Sequence, residues 1–308
     1  MSGEVPLALT GGSGFVGQAV LDVLGERNLP AEALVRRVTE HEHSRVEWVM
    51  GELADKPALD HLVAGTRGVI HIAGLTNTPD PSRFAAANVE GTANLIAASK
   101  QAGVKRFVFV SSLAAREPAL SAYGASKAEA EKLVEQSGLD WTIVRPPAVY
   151  GPRDADMFEL FRSARFGFVP LPPGGATSII HVADLARLLV DLIDAQPALV
   201  RRRVFEPDDA REGGWSHKEL AAAIGQAVGK RVFAPHLPRA VLQGAAGVDR
   251  LFRGHGARLT HDRVGYMCHP NWVVRSDRKV PESVWLPQIG GPEGLKSTAD
   301  WYRREGWL

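Results

Sequence analysis

A single cysteine, Cys268, stands in the 308 residues, which excludes an internal disulfide or a cysteine-based metal cluster and fits a reducing compartment. Neither sign of charge dominates: 36 basic against 35 acidic side chains leave a formal net charge of +1. Bulk electrostatics therefore attract neither nucleic acid nor an anionic membrane. Long apolar runs are also missing, and no stretch reaches the roughly 18 uncharged apolar residues of a membrane-spanning helix. The first strand pattern starts within five residues of Met1, which leaves no room for a signal peptide. Internal repeats and low-complexity tails are absent from the sequence. With 45% hydrophobic and 23% charged residues, the composition predicts a cytoplasmic globular protein. It has no nucleic-acid, membrane or metal partner to expect, and a length that suits one large domain or two smaller ones.

What is present is organised around Gly11-Gly12-Ser13-Gly14-Phe15-Val16-Gly17. The apolar run Val5–Thr10 before it reads as a buried first strand, and Gln18–Gly25 after it repeats apolar residues at helical spacing. Strand, glycine turn and helix together form the context of a dinucleotide site. Gly11 permits the sharp turn, Gly14 the approach of a pyrophosphate, and Gly17 the close packing of helix on sheet. The helix then aims its unpaired N–H groups at the phosphates.

Further strands are expected at Ala31–Val35, Arg45–Val49, Gly68–Gly74, Lys105–Ser112, Asp140–Arg145 and Arg201–Phe205, with helices between them. This alternation predicts an α/β fold with a doubly wound parallel sheet. Strand two ends in Arg36-Arg37 with no acid at its tip, which favours the 2′-phosphate of NADP(H) over the ribose hydroxyl of NAD(H). Solvated loop arginines are the plain alternative. His71, inside an apolar strand, reads as a satisfied core histidine rather than a catalytic one.

Tyr123-Gly124-Ala125-Ser126-Lys127 opens a helix with a phenol and an ammonium on one face. Such an ammonium favours the phenolate and brings the tyrosine toward working pH as an acid/base. Ser112, at the end of strand five, would hydrogen-bond the substrate oxygen where charge develops. Farther on, Ser216 with Glu219 reads as a helix cap, and Asp184 as the cap of a helix over Leu185–Asp194. Pro238–Phe252 reads as an alanine-rich helix serving as core or pocket lid, with a membrane-surface helix as the alternative.

These motifs together resemble the extended branch of the short-chain dehydrogenase/reductase superfamily, the NAD-dependent epimerase/dehydratase family. The resemblance is carried by Thr10–Gly17, Asn88-Val89-Glu90-Gly91-Thr92-Ala93-Asn94-Leu95, Ser111–Lys127 and Arg145–Pro152, and covers essentially the whole chain. It implies a Rossmann domain over 1–152, with 178–206 returning to it, and a smaller C-terminal substrate domain from 153–177 and 207–308. It implies a Ser112-Tyr123-Lys127 triad for reversible hydride transfer between NADP(H), or NAD(H), and an alcohol or carbonyl. Around the cofactor it places Gly11, Ser13, Gly14, Phe15, Val16 and Gly17 at the turn, then Glu52 and Leu53 near the adenine. Ala73, Gly74, Asn88, Ser111, Pro146, Ala148 and Val149 would line the rest, with Tyr123 and Lys127 at the nicotinamide end.

Departures from the family pattern narrow the substrate. Ala148 stands where sugar-nucleotide enzymes carry asparagine, and no arginine precedes His181-Val182-Ala183-Asp184, so 3β-hydroxysteroid dehydrogenase and dihydroflavonol reductase-like members are nearer in motif. Ten residues separate Ser112 from Tyr123, a short loop for the family. An NAD-dependent sugar-nucleotide epimerase or dehydratase, and a non-catalytic NADP sensor or assembly protein, remain the alternatives. A homodimer packed through the helices near 82–101 and 122–136 is implied by resemblance alone.

Overall fold

The computed structural model describes residues 4–37 and 44–308. The chain alternates from the start: β1 (Leu7–Thr10), α1 (Phe15–Glu26), β2 (Ala31–Val35), β3 (Val46–Met50), α2 (Lys56–Val63) and β4 (Gly68–His71). A π-helical turn over Ala85–Glu90 runs into α3 (Gly91–Gln101), followed by β5 (Arg106–Val110), α4 (Ala122–Gln136) and β6 (Asp140–Val144). Then come β7 (Ala148–Tyr150), α5 (Phe158–Ala164), β8 (Ala176–Thr177), β9 (Ile179–His181), α6 (Val182–Asp194), α7 (Pro197–Val200) and β10 (Arg203–Phe205). The remainder is β11 (Trp215–Ser216), α8 (His217–Val228), α9 (Arg239–Arg253), α10 (His261–Met267), β12 (Asn271–Trp272) and α11 (Gly291–Arg304).

Seven strands form one parallel sheet in the order β10-β6-β5-β4-β1-β2-β3. Both faces are covered, so the strands read as apolar runs. Leu7 and Leu9 join α1 and α6 in one core, while Ala8 points the other way into the core shared with α2, α3 and α4. The strand order reverses between β1 and β4, and that switch point is where an open α/β sheet leaves a crevice for ligand. A third core, centred on Tyr150, Phe161, Trp215, Leu295 and Tyr302, belongs to the smaller layer built by α5, α8 and α11.

His71 shows how strongly the sheet fixes its polar interior. It is wholly buried, with Nδ1 2.7 Å from the Thr10 hydroxyl and Nε2 3.0 Å from that of Thr92. Burial, helped by the Lys127 charge, pushes its pKa down to about 3, so the ring is neutral and structural. Because the unfolded chain protonates near 6.5 and the folded chain does not, the stability this ring contributes is present above 6.5 and is lost as pH falls toward 3. Each unit in that window removes about 1.4 kcal/mol from this group alone. Urea midpoints measured at pH 6.5 and 5.5 are expected to fall accordingly, and more steeply than in His71→Gln.

Two expectations are corrected. Asp184 does not cap its own helix: His181 is the α6 N-cap, its Nδ1 accepting from the Ala183 N–H at 3.2 Å. The fully buried Asp184 carboxylate instead receives the Gln288 and Ile289 N–H groups (3.1 and 2.9 Å) and the Arg187 guanidinium, while its carbonyl accepts from Trp285 Nε1. A carboxylate in the first helical turn gains from the dipole there and is free to serve a distant segment. Nor is α9 core: only Leu242 and Ala246 are buried along its length. The Ser216–Glu219 capping box at α8 forms as read.

Candidate active site

The glycine turn is built so tightly that side chains are sterically barred. Gly11 has φ +79°, and a Cβ there would lie 2.8 Å from the Ala73 backbone nitrogen. A Cβ on Gly17 would lie 2.0 Å from the Gly11 carbonyl oxygen, so α1 rests directly on the turn. Gly14 is the N-cap and no side chain caps α1, which leaves first-turn N–H groups at Phe15 and Val16 for phosphate oxygens. Ser13 is exposed beside them. Across the crevice, the Ala73 N–H donates to the Thr10 hydroxyl, which holds Ala73-Gly74 against the turn. Ser111, at the carboxyl edge of β5, has a buried hydroxyl with no partner among the described residues. A cradle that Cβ atoms would fill, an open helix N-terminus and an orphaned hydroxyl together fit a dinucleotide.

Beyond β2 and β3 the crevice is less enclosed. Arg36 and Arg37 sit exposed beyond β2, and among the described residues neither has a carboxylate partner. Glu52 is exposed after β3, whereas Leu53 is locked: its side chain fills the space over Gly91, and its carbonyl accepts from Asn94 Nδ2 at 2.9 Å. Asn88, inside the π turn, spends both ends of its amide within the protein. Its oxygen accepts from the Leu75 N–H at 2.6 Å, and its Nδ2 donates to the Leu75 carbonyl and Ser126 hydroxyl, each at 2.9 Å. The wide turn at Asn88 thereby ties the loop after β4 to α4, under Gly74.

On α4 the two chemical residues are both buried. Ser112 Oγ accepts from the Ala114 N–H at 3.2 Å, and its hydroxyl pulls the Tyr123 pKa down against the larger effect of burial. One turn on, Lys127 donates from Nζ to the Val110 carbonyl at 2.7 Å and lies 4.7 Å from the centre of the Phe109 ring. Burial lowers the Lys127 pKa to about 8, with Glu131 opposing. The phenol departs from the sequence expectation. Burial raises Tyr123 above its ordinary value, the Ser112 hydroxyl offsets only part, and the Lys127 ammonium is turned toward Val110. Such a phenol stays protonated at neutral pH and is suited to giving up a proton to a stronger base formed beside it.

Beyond β6 the wall is set by Arg145, whose guanidinium takes Glu131 with two bonds (2.9 and 2.6 Å) and also faces the buried Glu206. Pro146 accepts from the Leu113 N–H at 3.1 Å, and Ala148 and Val149 lie in β7, paired in parallel with β9. Phe84, Leu75, Ala122 and Tyr266 pack around Tyr123, with ring centres of Phe84 and Tyr266 at 5.8 and 5.9 Å.

Sequence reading missed the contact that closes this site. Asp262 of α10 accepts from the Ala122 N–H at 2.6 Å and the Tyr123 N–H at 3.2 Å, capping α4 from the smaller layer. Gly265 of α10 lies so close to the Leu120 carbonyl that a Cβ would come within 2.3 Å. Asp262 follows Tyr123 by more than a hundred positions, so no local spacing announces it.

Sheet, glycine cradle and buried phenol define a nicotinamide-dinucleotide oxidoreductase fold of the doubly wound class. Residues 11–196 match the NAD(P)H-binding family. A ceramide reductase of Caulobacter vibrioides is 34% identical over 98% of this chain and 96% of its own length. A UDP-glucose 4-epimerase of Vibrio cholerae is 29% identical over 71% of the chain and 75% of its own length. Among solved structures, that of gox2253 superposes with a TM-score of 0.79 at 24% identity, covering 99% of this chain and 100% of the other. The chain belongs to the extended short-chain dehydrogenase/reductase family, as an NAD(P)-dependent reductase- or epimerase-type enzyme.

Proposed function

We propose that the chain is an NADPH-dependent reductase acting on a carbonyl of a long-chain lipid. The observation that carries this reading is the buried Tyr123 phenol, packed against Phe84 and Tyr266 at the carboxyl edge of the sheet, where Ser112 follows β5. Bound NADPH would supply a hydride to the carbonyl carbon. Ser112 holds the carbonyl oxygen, and Tyr123 gives that oxygen its proton as negative charge develops, leaving an alcohol. Lys127, its pKa near 8, is charged at neutral pH and, held by the Val110 carbonyl beneath Gly74, would take the ribose hydroxyls of the cofactor. The apolar wall of Phe84, Leu75 and Tyr266, and full-length similarity to a ceramide reductase, support a lipid rather than a sugar nucleotide.

In the same reading Arg36 and Arg37 clamp the 2′-phosphate. Arg36→Ala with Arg37→Ala is expected to weaken NADPH binding by about tenfold or more, roughly 1.4 kcal/mol, and to leave NADH binding nearly unchanged. Calorimetry with both nucleotides checks this. The function itself is tested by NADPH consumption with ketones of increasing chain length. We expect kcat/KM to rise by up to about fourfold for each methylene that becomes buried. Absence of NADPH consumption together with interconversion of UDP-sugars by tightly held NAD would overturn the reading.

A further inference from the structure

A net charge near zero conceals a local excess. No Asp or Glu occurs in residues 160–183 or 220–248, although the whole chain balances 36 basic against 35 acidic side chains. The structure brings the two stretches together. Phe168 bridges Phe233 and Leu171 bridges His236 in parallel, and the Phe233 N–H donates to the Gly167 carbonyl at 2.8 Å. Alternate side chains of such extended segments point to opposite sides. Val169, Leu171, Val232 and Ala234 turn inward onto the core of the smaller layer, so Phe168, Arg231 and Phe233 share the outer side. Phe166, just past the end of α5, stands beside them, with the Arg165 guanidinium 5.0 Å from its ring centre. Phe166, Phe168 and Phe233 are 75%, 42% and 70% exposed, and the last two rings lie 6.3 Å apart. Single apolar side chains are ordinary on a surface, but three adjoining phenylalanines mark an interaction site. Arg165, Lys230 and Arg231 are exposed there too, and among the described residues none of them meets a carboxylate. Arg162, by contrast, is taken by Glu159.

We propose that this patch seats the enzyme on an anionic lipid surface, with the three phenylalanine rings at the acyl boundary and Arg165, Lys230 and Arg231 among the headgroups. Charge and shape together select this occupant. The cations stand within the aromatic cluster: Arg231 is two residues from Phe233 on the same outer side, and Arg165 lies over Phe166. A guanidinium resting on a ring face keeps its N–H edge for phosphate oxygens. No carboxylate from either stretch opposes an anionic headgroup. Rings as exposed as those of Phe166 and Phe233 protrude, and a fluid lipid layer accepts them without the matching pocket that a folded partner must supply. The docking rests on this patch alone and does not depend on which carbonyl the enzyme reduces.

The test is co-sedimentation of the full chain with vesicles of phosphatidylcholine, with and without phosphatidylglycerol, in low and high salt. The wild type is expected to sediment with the anionic vesicles, to ignore the neutral ones and to be released by salt. Phe166→Ser with Phe233→Ser should weaken vesicle binding at least about tenfold. Arg165→Gln with Arg231→Gln should weaken it by about fivefold for each charge removed and reduce its salt dependence. All four positions are exposed, and unchanged thermal melting checks the fold of each variant. A wild type that stays in solution, or variants of either pair that sediment like the wild type, overturns the proposal. Retention on soluble polyglutamate without sedimentation on vesicles also overturns it and assigns the patch to an acidic protein. So does a wild-type dimer that Phe166→Ser with Phe233→Ser converts to monomer, since the rings then cover a second copy. Vesicle binding is read without substrate or nucleotide, so failure of the reductase reading leaves it untouched.

Discussion

Tyr123→Phe is expected to lower kcat for ketone reduction by about 10²–10⁴, the range for losing a general acid, while NADPH affinity changes little. The split follows from where the phenol lies. Tyr123 is buried against Phe84 and Tyr266, so phenylalanine keeps the packing and removes only the proton donor. The measurement is steady-state kcat beside NADPH binding by calorimetry. A variant with wild-type kcat would show that the proton comes from elsewhere. Lys127 adds a pH signature: with its pKa lowered to about 8, its ammonium is lost as pH rises through 8, and kcat should decline there in the wild type. Below that value the lysine is charged and the profile should be flat from this group.

Gly17→Ala is expected to have the second large effect, on both binding and stability. One methyl group would meet the Gly11 carbonyl oxygen at 2.0 Å and Gly12 Cα at 2.8 Å, and backbone atoms cannot rotate aside as a side chain does. Relief requires lifting α1 off the turn, which also displaces the uncapped first-turn N–H groups proposed to hold the phosphates. The cost is expected at the upper end of overpacking, about 3 kcal/mol, with at least about tenfold weaker nucleotide binding. Calorimetric melting with and without NADPH separates the two losses, because bound ligand shifts the transition only while the cradle persists. Melting and nucleotide binding equal to wild type would show that the turn tolerates the methyl group.

Features written at short range were legible in the sequence. The glycine turn, the apolar strands, the Ser216–Glu219 box and the Tyr123–Lys127 pair each depend on neighbours within one strand or one or two helical turns. His71 was legible as a core residue because an apolar strand surrounds it, though its two threonine partners lie on other elements. What escaped depends on contacts between distant segments. Asp184 sits at a helix start, where a local cap is the natural reading, yet its partners are Gln288 and Ile289. The phenol's upward shift arises from burial by Phe84 and by Tyr266 of α10, which no spacing around Tyr123 discloses. Likewise, helical periodicity in 238–252 shows an apolar face without saying whether protein covers it, and only the packed structure leaves Leu251 and Phe252 outside.

The Asp184 contacts also bear on where the nucleotide-binding half ends. Val280 and Trp285 pack into the same core as β1 and α1, and Gln288 and Ile289 satisfy a carboxylate buried near residue 184. Residues 280–289 were read from the sequence with the substrate domain, but their side chains complete the sheet's own helical layer. The nucleotide-binding half therefore does not separate cleanly at residue 206: without residues 280–289 one wall of its core is open and the Asp184 carboxylate is uncompensated.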